Sequence, residues 1–102
     1  MKSCWFHPEA IAEADKAAAF YKEQRPDLEV RFLEALNDTI SRITRNPLIY
    51  RRIEGEVRKC RILRFPYGIV YRVIVYRVGN DRIEVIAVMH LRQQPGYWKS
   101  RT

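Results

Sequence analysis

The amino-acid sequence predicts an α+β domain in which a helical hairpin packs on one face of a largely antiparallel, four-stranded sheet. Three observations lead to this prediction: a short alternating stretch at the start, apolar residues at helical spacing through the first half, and three stretches rich in Val, Ile and Tyr in the second. With 102 residues, 47% of them hydrophobic and 30% charged, the chain has the size and composition of one domain with its own core. The sequence therefore predicts one domain over residues 1–102, in the order β-α-α-β-β-β, with residues 91–102 as a C-terminal tail.

The first half of the chain predicts a strand followed by two helices. Residues 2–6 alternate as in a short strand, and then the period changes. Pro8 suits the first turn of a helix, and the alanine-rich run to about Gln24 is a strong helix former. A second helix is predicted from Asp27 to about Arg45, and the proline between the helices ends one and begins the other. Because the link is so short, the two helices form an antiparallel hairpin.

The buried faces of these helices are predicted from apolar residues at helical spacing. The first helix has a narrow seam of small side chains that lets another helix lie close, formed by Ile11, Ala14, Ala18 and Tyr21. The second helix has a larger apolar face, formed by Phe32, Leu33, Leu36, Ile40 and Ile43.

The second half predicts three strands and the turns between them. Residues 47–56 are predicted to be a loop whose apolar side chains pack on the edge of the domain. The three predicted strands that follow are Val57–Leu63, Tyr67–Tyr76 and Arg82–Met89. Phe65-Pro66 forms one corner between them, and Gly79-Asn80-Asp81 forms a hairpin turn with residues suited to positive φ.

The strand predicted over residues 67–76 has apolar side chains on both faces, so we expect it to be central and covered on both sides. The helical hairpin can cover only one face. We therefore expect the C-terminal tail or a bound partner chain to cover part of the other. Tyr97 and Trp98 lie in this tail between basic residues. In one interpretation the tail folds back across the sheet and the two rings pack against it as plugs. In the other, which is compatible with the first, the two rings contact a target.

The excess positive charge lies entirely in the second half of the chain. The formal net charge is +7, but residues 1–50 hold seven basic and eight acidic side chains, whereas residues 51–102 hold twelve and four. Ten of those twelve are arginine, which makes forked contacts with carboxylates and phosphates. This distribution favours an anionic partner over a basic surface that serves solubility alone.

The motifs of most enzyme classes are absent from the sequence. It contains no Gly-rich phosphate loop, no Walker lysine, no His-Glu-x-x-His pair and no Gly-x-Ser-x-Gly elbow, and Cys4 and Cys60 lack a metal-ligand spacing. We therefore expect no cofactor and no metal. His7 is interpreted as a helix boundary residue. His90 ends the last strand among arginines and tyrosines, where it either closes the strand by hydrogen bonding or serves as a general acid or base in phosphodiester cleavage.

The sequence also predicts a cytoplasmic protein without a membrane segment. No apolar run approaches the ~20 residues that span a bilayer, and residues 1–8 lack the long apolar region of a secretory signal. In the cytoplasm both cysteines are expected to be reduced.

Three segments of the second half are informative together. They are Arg58 to Val73 with its central Arg64-Phe65-Pro66-Tyr67-Gly68, Ile83 to His90, and the terminal Pro95-Gly96-Tyr97-Trp98. With the element order, the helical hairpin ending in Asn-Pro and the basic second half, they resemble the RelE/ParE superfamily of bacterial toxins over essentially the whole chain. The resemblance implies the toxin of a two-gene toxin–antitoxin module, held inactive by an antitoxin whose flexible segment folds onto the toxin.

The superfamily has two broad activities. RelE-like members cut messenger RNA on the ribosome, whereas ParE-like members inhibit DNA gyrase without a known catalytic site of their own. The ribonuclease branch typically carries an arginine directly before the apolar-Val-Tyr run of the third strand, where this chain has Gly68. The resemblance therefore favours the ParE-like branch, although an arginine from a neighbouring strand can fill the same space. In the ribonuclease alternative, the catalytic residues are His90, Arg61 and Arg64.

The favoured interpretation is a ParE-like toxin that poisons DNA gyrase and has no catalytic residue. The side chains expected to contact the target are Arg58, Arg61, Arg64, His90, Arg92, Tyr97 and Trp98. The antitoxin, acidic and flexible when free, is expected to lay an amphipathic segment along the helical hairpin and the sheet edge, giving a hetero-oligomer. The ribonuclease alternative requires the ribosome and mRNA as partners, and a further alternative is a nucleic-acid-binding module without toxicity.

Overall fold

The computed structural model describes residues 3–75 and 81–102. Within them the chain forms two helices and five strands, which are β1 (Ser3–Phe6), α1 (Pro8–Gln24), α2 (Pro26–Arg45), β2 (Arg51–Glu54), β3 (Val57–Arg61), β4 (Tyr67–Val75) and β5 (Asp81–His90). A short 3-10 turn, Lys99–Arg101, lies in the tail. The predicted α+β class, with a helical hairpin on a mostly antiparallel sheet, is confirmed.

The two helices begin and end close to the predicted residues. His7 caps α1 because its Nδ1 accepts a hydrogen bond from the Glu9 N–H at 3.1 Å, so it is a helix boundary residue. The seam of α1 that packs against the rest of the domain is small, as predicted, but it consists of Ala10, Ala14, Ala17 and Ala18. Ile11 and Leu33 were expected in the core and are exposed. Apolar surface therefore remains on the outside of the hairpin.

The sheet has five strands in the order β1-β5-β4-β3-β2, one more than predicted. β1 pairs parallel with β5, and the other neighbours are antiparallel. The extra strand is β2, which lies inside the predicted loop 47–56. Three of its four residues are charged, so it lacks the apolar alternation of a strand, and its pairing with β3 gives it a strand conformation at the edge of the sheet.

The sheet has two covered faces. The helix-side face contributes Cys60, Ile69, Tyr71, Ile83, Val85 and Val88 to the core under α1 and α2. The opposite face, called here the tail-side face, contributes Val57, Val70, Ile86, Ala87 and Met89 to a second core under Trp98. The register between β4 and β5 shifts between Val70 and Tyr71, so that Ile86 and Ala87 share the tail-side face. This bulge broadens the apolar area that the tail covers.

Parts of three predicted elements lie outside the described residues. These are Lys2 at the start of the predicted first strand, Tyr76 at the end of the predicted central strand, and Gly79 and Asn80 of the predicted hairpin turn. Neither helix combines the length and apolar character needed to cross a bilayer within the described ranges.

Candidate functional site

The C-terminal tail folds across the tail-side face of the sheet. Trp98 is only 3% exposed and packs in the second core, with Tyr97 partly buried beside it. The expectation that the tail covers part of this face is therefore confirmed. Trp98 fills the role of a plug in this arrangement, and its ring offers almost no surface to a target.

A carboxylate on α1 fastens the tail at the edge of β5. Glu13 accepts hydrogen bonds from the Tyr97 hydroxyl at 2.7 Å and from the Arg101 guanidinium at 2.9 and 3.1 Å. It also accepts a hydrogen bond from the Val88 N–H at 3.0 Å. Val88 lies past the stretch of β5 that pairs with β1, so Glu13 takes the place of a strand partner there. Burial and the hydrogen bond to Glu13 raise the pKa of Tyr97 well above its usual range. We call this arrangement the Glu13 latch.

Four of the predicted target-contact residues lie at one end of the sheet. Arg61 ends β3, Arg64 lies in the β3–β4 turn, His90 ends β5 and Arg92 follows it. Hydrogen bonds from the Ile62 N–H to the Tyr67 carbonyl, and from the Leu91 N–H to the Pro66 carbonyl, hold these segments together. Arg64 has a φ of 74°, an uncommon conformation for a residue with a side chain.

The same residues do not all face the same way. His90 is opposite Tyr67 in the ladder and stacks edge-on against its ring at 5.0 Å, on the helix side. Its Nδ1 accepts a hydrogen bond from the Arg92 N–H at 3.1 Å. Arg61 is opposite Gly68 on the tail-side face, where its side chain is exposed. His90 and Arg61 therefore lie on opposite faces of the sheet.

Arg58 and Tyr97 are the remaining predicted contact residues, and both make structural contacts. Arg58 lies on the helix side of β3 and donates to the carbonyls of Leu48 and Tyr50 at 2.9 and 2.8 Å. These bonds attach the α2–β2 connection to the sheet. Tyr97 is a member of the Glu13 latch.

The space above Gly68 is occupied by a basic side chain from the neighbouring strand. A Cβ at Gly68 would lie 3.2 Å from both Cγ and Cδ of Lys59, so the aliphatic stem of Lys59 covers the glycine. Directly opposite Lys59 in the ladder is Arg51 of β2. Arg51 is not among the functional residues predicted from the sequence, because the sequence predicts a loop at that position. Lys59 could have been found from the sequence, because side chains alternate between the two faces along β3 and this alternation predicts the face on which Lys59 lies.

A second charged cluster lies on the tail-side face beside β1. Glu84 lies 3.2 Å from Arg72 and 2.8 Å from Arg82, and the Arg82 guanidinium lies over the Trp5 ring. Burial of Glu84 raises its pKa, but the hydrogen bonds and positive charges of the two arginines outweigh burial, so the pKa lies below its ordinary value. Glu84 is thus an anion that orients two cations.

The helical side of the molecule has a groove of about 600 Å³ between α2 and the β3–β4 turn. Its lining combines apolar and charged side chains: Leu28, Arg31, Glu34, Ala35, Asp38, Leu63, Arg64 and Phe65. Residues 3–75 and 81–102 contain no cluster of three or more His, Cys, Asp or Glu side chains suited to a metal ion.

Comparison with known proteins assigns the chain to a family. The matching family model is described as the ParE toxin of the type II toxin–antitoxin system parDE, and it matches residues 5–95. A solved structure of the chromosomal ParDE toxin–antitoxin system from P. aeruginosa is similar, with a TM-score of 0.63 and 16% sequence identity, covering 90% of this chain and 98% of that chain. No curated protein sequence matches. Since the family model covers most of the sequence, this chain belongs to the ParE toxin family of type II toxin–antitoxin systems.

Proposed function

We propose that this chain arrests bacterial growth by poisoning DNA gyrase and that a cognate antitoxin neutralises it in a toxin–antitoxin hetero-oligomer. The observation that carries the proposal is the ParE family match over residues 5–95. Gyrase inhibition is the activity implied by the ParE-like branch, and the similar P. aeruginosa structure is of a ParDE toxin–antitoxin system. Gyrase acts in the cytoplasm, so the proposal places the toxin there.

The arrangement of proton-transfer groups supports a binding role over RNA cleavage. His90 and Arg61 lie on opposite faces of the sheet, which argues against their acting together on one phosphodiester. The Tyr97 hydroxyl donates to Glu13, and burial raises the pKa of Tyr71 to about 12. Lys59 supplies positive charge above Gly68, but cleavage also needs groups that transfer protons within hydrogen-bond reach of the reacting atoms.

Pulse labelling in cells tests the target. Inducing this chain without antitoxin should stop the incorporation of labelled thymidine within minutes while labelled methionine is still incorporated. The double variant Arg61→Ala/Arg64→Ala should lose the arrest, because both side chains are exposed at the basic end of the sheet. Lys16→Ala/Lys22→Ala removes the same charge from the exposed surface of α1 and should still arrest growth.

Two outcomes of this assay contradict the proposal. Early loss of methionine incorporation with continued DNA synthesis indicates the ribonuclease alternative. Full arrest by Arg61→Ala/Arg64→Ala indicates that the basic end of the sheet does not contact the target.

The antitoxin is proposed to dock on the helical side. The groove between α2 and the β3–β4 turn has an apolar floor with arginines and carboxylates at its rim, which suits an amphipathic segment. Other exposed apolar side chains lie elsewhere on the hairpin: Ile11, Phe20, Val30 and Leu33. A flexible segment loses conformational entropy when it folds onto a partner, and a large apolar surface offsets that loss.

Leu63→Asp should weaken antitoxin binding by about tenfold or more, because Leu63 lines the groove and is 58% exposed in the free toxin. Calorimetric titration of the toxin with its antitoxin measures the change. Leu48→Asp is the matched control, since Leu48 is 64% exposed on the α2–β2 connection and does not line the groove. Equal weakening by both substitutions would place the antitoxin elsewhere.

A further inference from the structure

Three basic side chains lie together on the tail-side face of β2 and β3. Arg51 is directly opposite Lys59 in the antiparallel ladder, and Arg61 is the next residue of β3 on the same face, about 7 Å along the strand. Like charges directly opposite each other destabilise a sheet. We call these three residues the basic stripe.

The described part of the chain supplies no compensating partner for this stripe. On the helix side of the same strands, the like-charged neighbours Arg52 and Arg58 are both compensated: Arg52 lies 3.4 Å from Glu56, and Arg58 donates to two backbone carbonyls. The stripe's side chains make no hydrogen bond or ion pair within residues 3–75 and 81–102. Glu54, on the same edge strand, is already 3.2 Å from Lys99.

A groove of about 420 Å³ adjoins the stripe, between the sheet and the tail. Lys59 is common to both, so the groove opens beside the cations. The apolar part of its lining consists of Ile53, Met89, Leu91, Pro95 and Trp98. A volume of this size admits a small planar group.

We propose that the basic stripe binds the phosphates of a nucleic-acid strand and that the adjoining groove receives a base. Phosphates recur along one strand, so a single strand can contact all three cations at once, and guanidinium groups match phosphate oxygens. Single-strand binding combines a row of cations that follows the phosphates with side chains that contact the bases. An acidic protein segment is the competing anionic partner, and the poly-glutamate competition below tests it. This inference goes beyond gyrase poisoning, and its test contains no gyrase.

Fluorescence anisotropy with a labelled single-stranded DNA of about 12 nucleotides tests the site across a range of salt concentrations. The triple variant Arg51→Gln/Lys59→Gln/Arg61→Gln should bind at least about tenfold more weakly. Its plot of log affinity against log salt should be shallower by about 2, because each lost phosphate contact removes about 0.7 from the slope. Urea unfolding should show the triple variant at least as stable as the parent, since repulsion between like charges is removed.

The control is Lys16→Gln/Lys22→Gln/Arg45→Gln, which removes the same charge from exposed positions on the helices. Its affinity for the DNA should stay within about twofold of the parent. If both triple variants lost the same affinity for the DNA, net charge alone would explain the weaker binding and the proposal would be overturned. Displacement of the DNA by a poly-glutamate peptide at equal charge, or by inorganic phosphate at equal total phosphate, would also overturn it, because neither competitor is a nucleic-acid strand. Since growth arrest is measured separately, failure of this proposal and failure of the gyrase proposal are distinguishable.

Discussion

Trp98→Ala should lower the free energy of unfolding by about 3–5 kcal/mol, the cost of emptying a large buried aromatic site. The Trp98 ring is almost fully buried against Val70, Ile86, Ala87 and Met89 on the tail-side face. The total stability of a domain of this size is only about 5–15 kcal/mol, so the variant should lie close to its unfolding threshold. Urea titration followed by circular dichroism measures the change.

The chain offers a matched control in its other tryptophan. Trp5 is 41% exposed on the edge strand β1, where the Arg82 guanidinium lies over its ring. Trp5→Ala should cost no more than about 1 kcal/mol, because it removes a partly exposed cation–π contact. If the two variants were equally stable, Trp98 would not act as a plug.

Trp98→Ala also tests whether Trp98 only fills the second core or contacts the target. At a temperature where Trp98→Ala is still folded, a plug predicts that growth arrest persists, since the side chain offers almost no surface to a target. If the folded Trp98→Ala variant no longer arrested growth, Trp98 would be a residue that contacts the target.

The elements that the sequence predicts well are those whose side chains repeat with a clear period. Alanines and prolines determine α1 and its ends, and the Val, Ile and Tyr content of β4 and β5 exceeds that of any loop. β2 could not be predicted in this way. Its sequence, Arg-Arg-Ile-Glu, has a single apolar residue, and its strand conformation depends on the hydrogen bonds that β3 provides.

The candidate site was predicted less completely because it depends on residues distant in the sequence. Arginine content indicated a basic surface, but only strand register shows which cations share a face. That register places Arg58 on the helix side, next to carbonyls, and Arg61 on the opposite side. Likewise, the contact of Lys59 with Gly68 follows from pairing between strands, whereas the sequence shows only a missing arginine.

Glu13→Ala should detach the tail from α1 and lower the free energy of unfolding by about 2–4 kcal/mol. The substitution leaves the Arg101 guanidinium, whose side chain is 10% exposed, without its main carboxylate partner. It also leaves the Tyr97 hydroxyl and the Val88 N–H without their acceptor. Glu9 remains 3.0 Å from Arg101, but its carboxylate is largely exposed, and an exposed ion pair contributes at most about 1 kcal/mol.

Glu9→Ala is therefore the matched control, because it removes the other carboxylate that pairs with the same guanidinium. It should cost less than about 1 kcal/mol and leave amide exchange at Val88 unchanged, whereas Glu13→Ala should accelerate that exchange. A double-mutant cycle with Arg101→Ala should give a coupling energy above about 1 kcal/mol for Glu13 and a smaller one for Glu9. Equal couplings would mean that Glu13 holds Arg101 no more strongly than Glu9 does. A larger coupling for Glu13, together with faster amide exchange at Val88 in Glu13→Ala, would mean that one half-buried carboxylate, 75 residues from Val88 in the sequence, both satisfies the open end of the β5 edge and holds the tail in place.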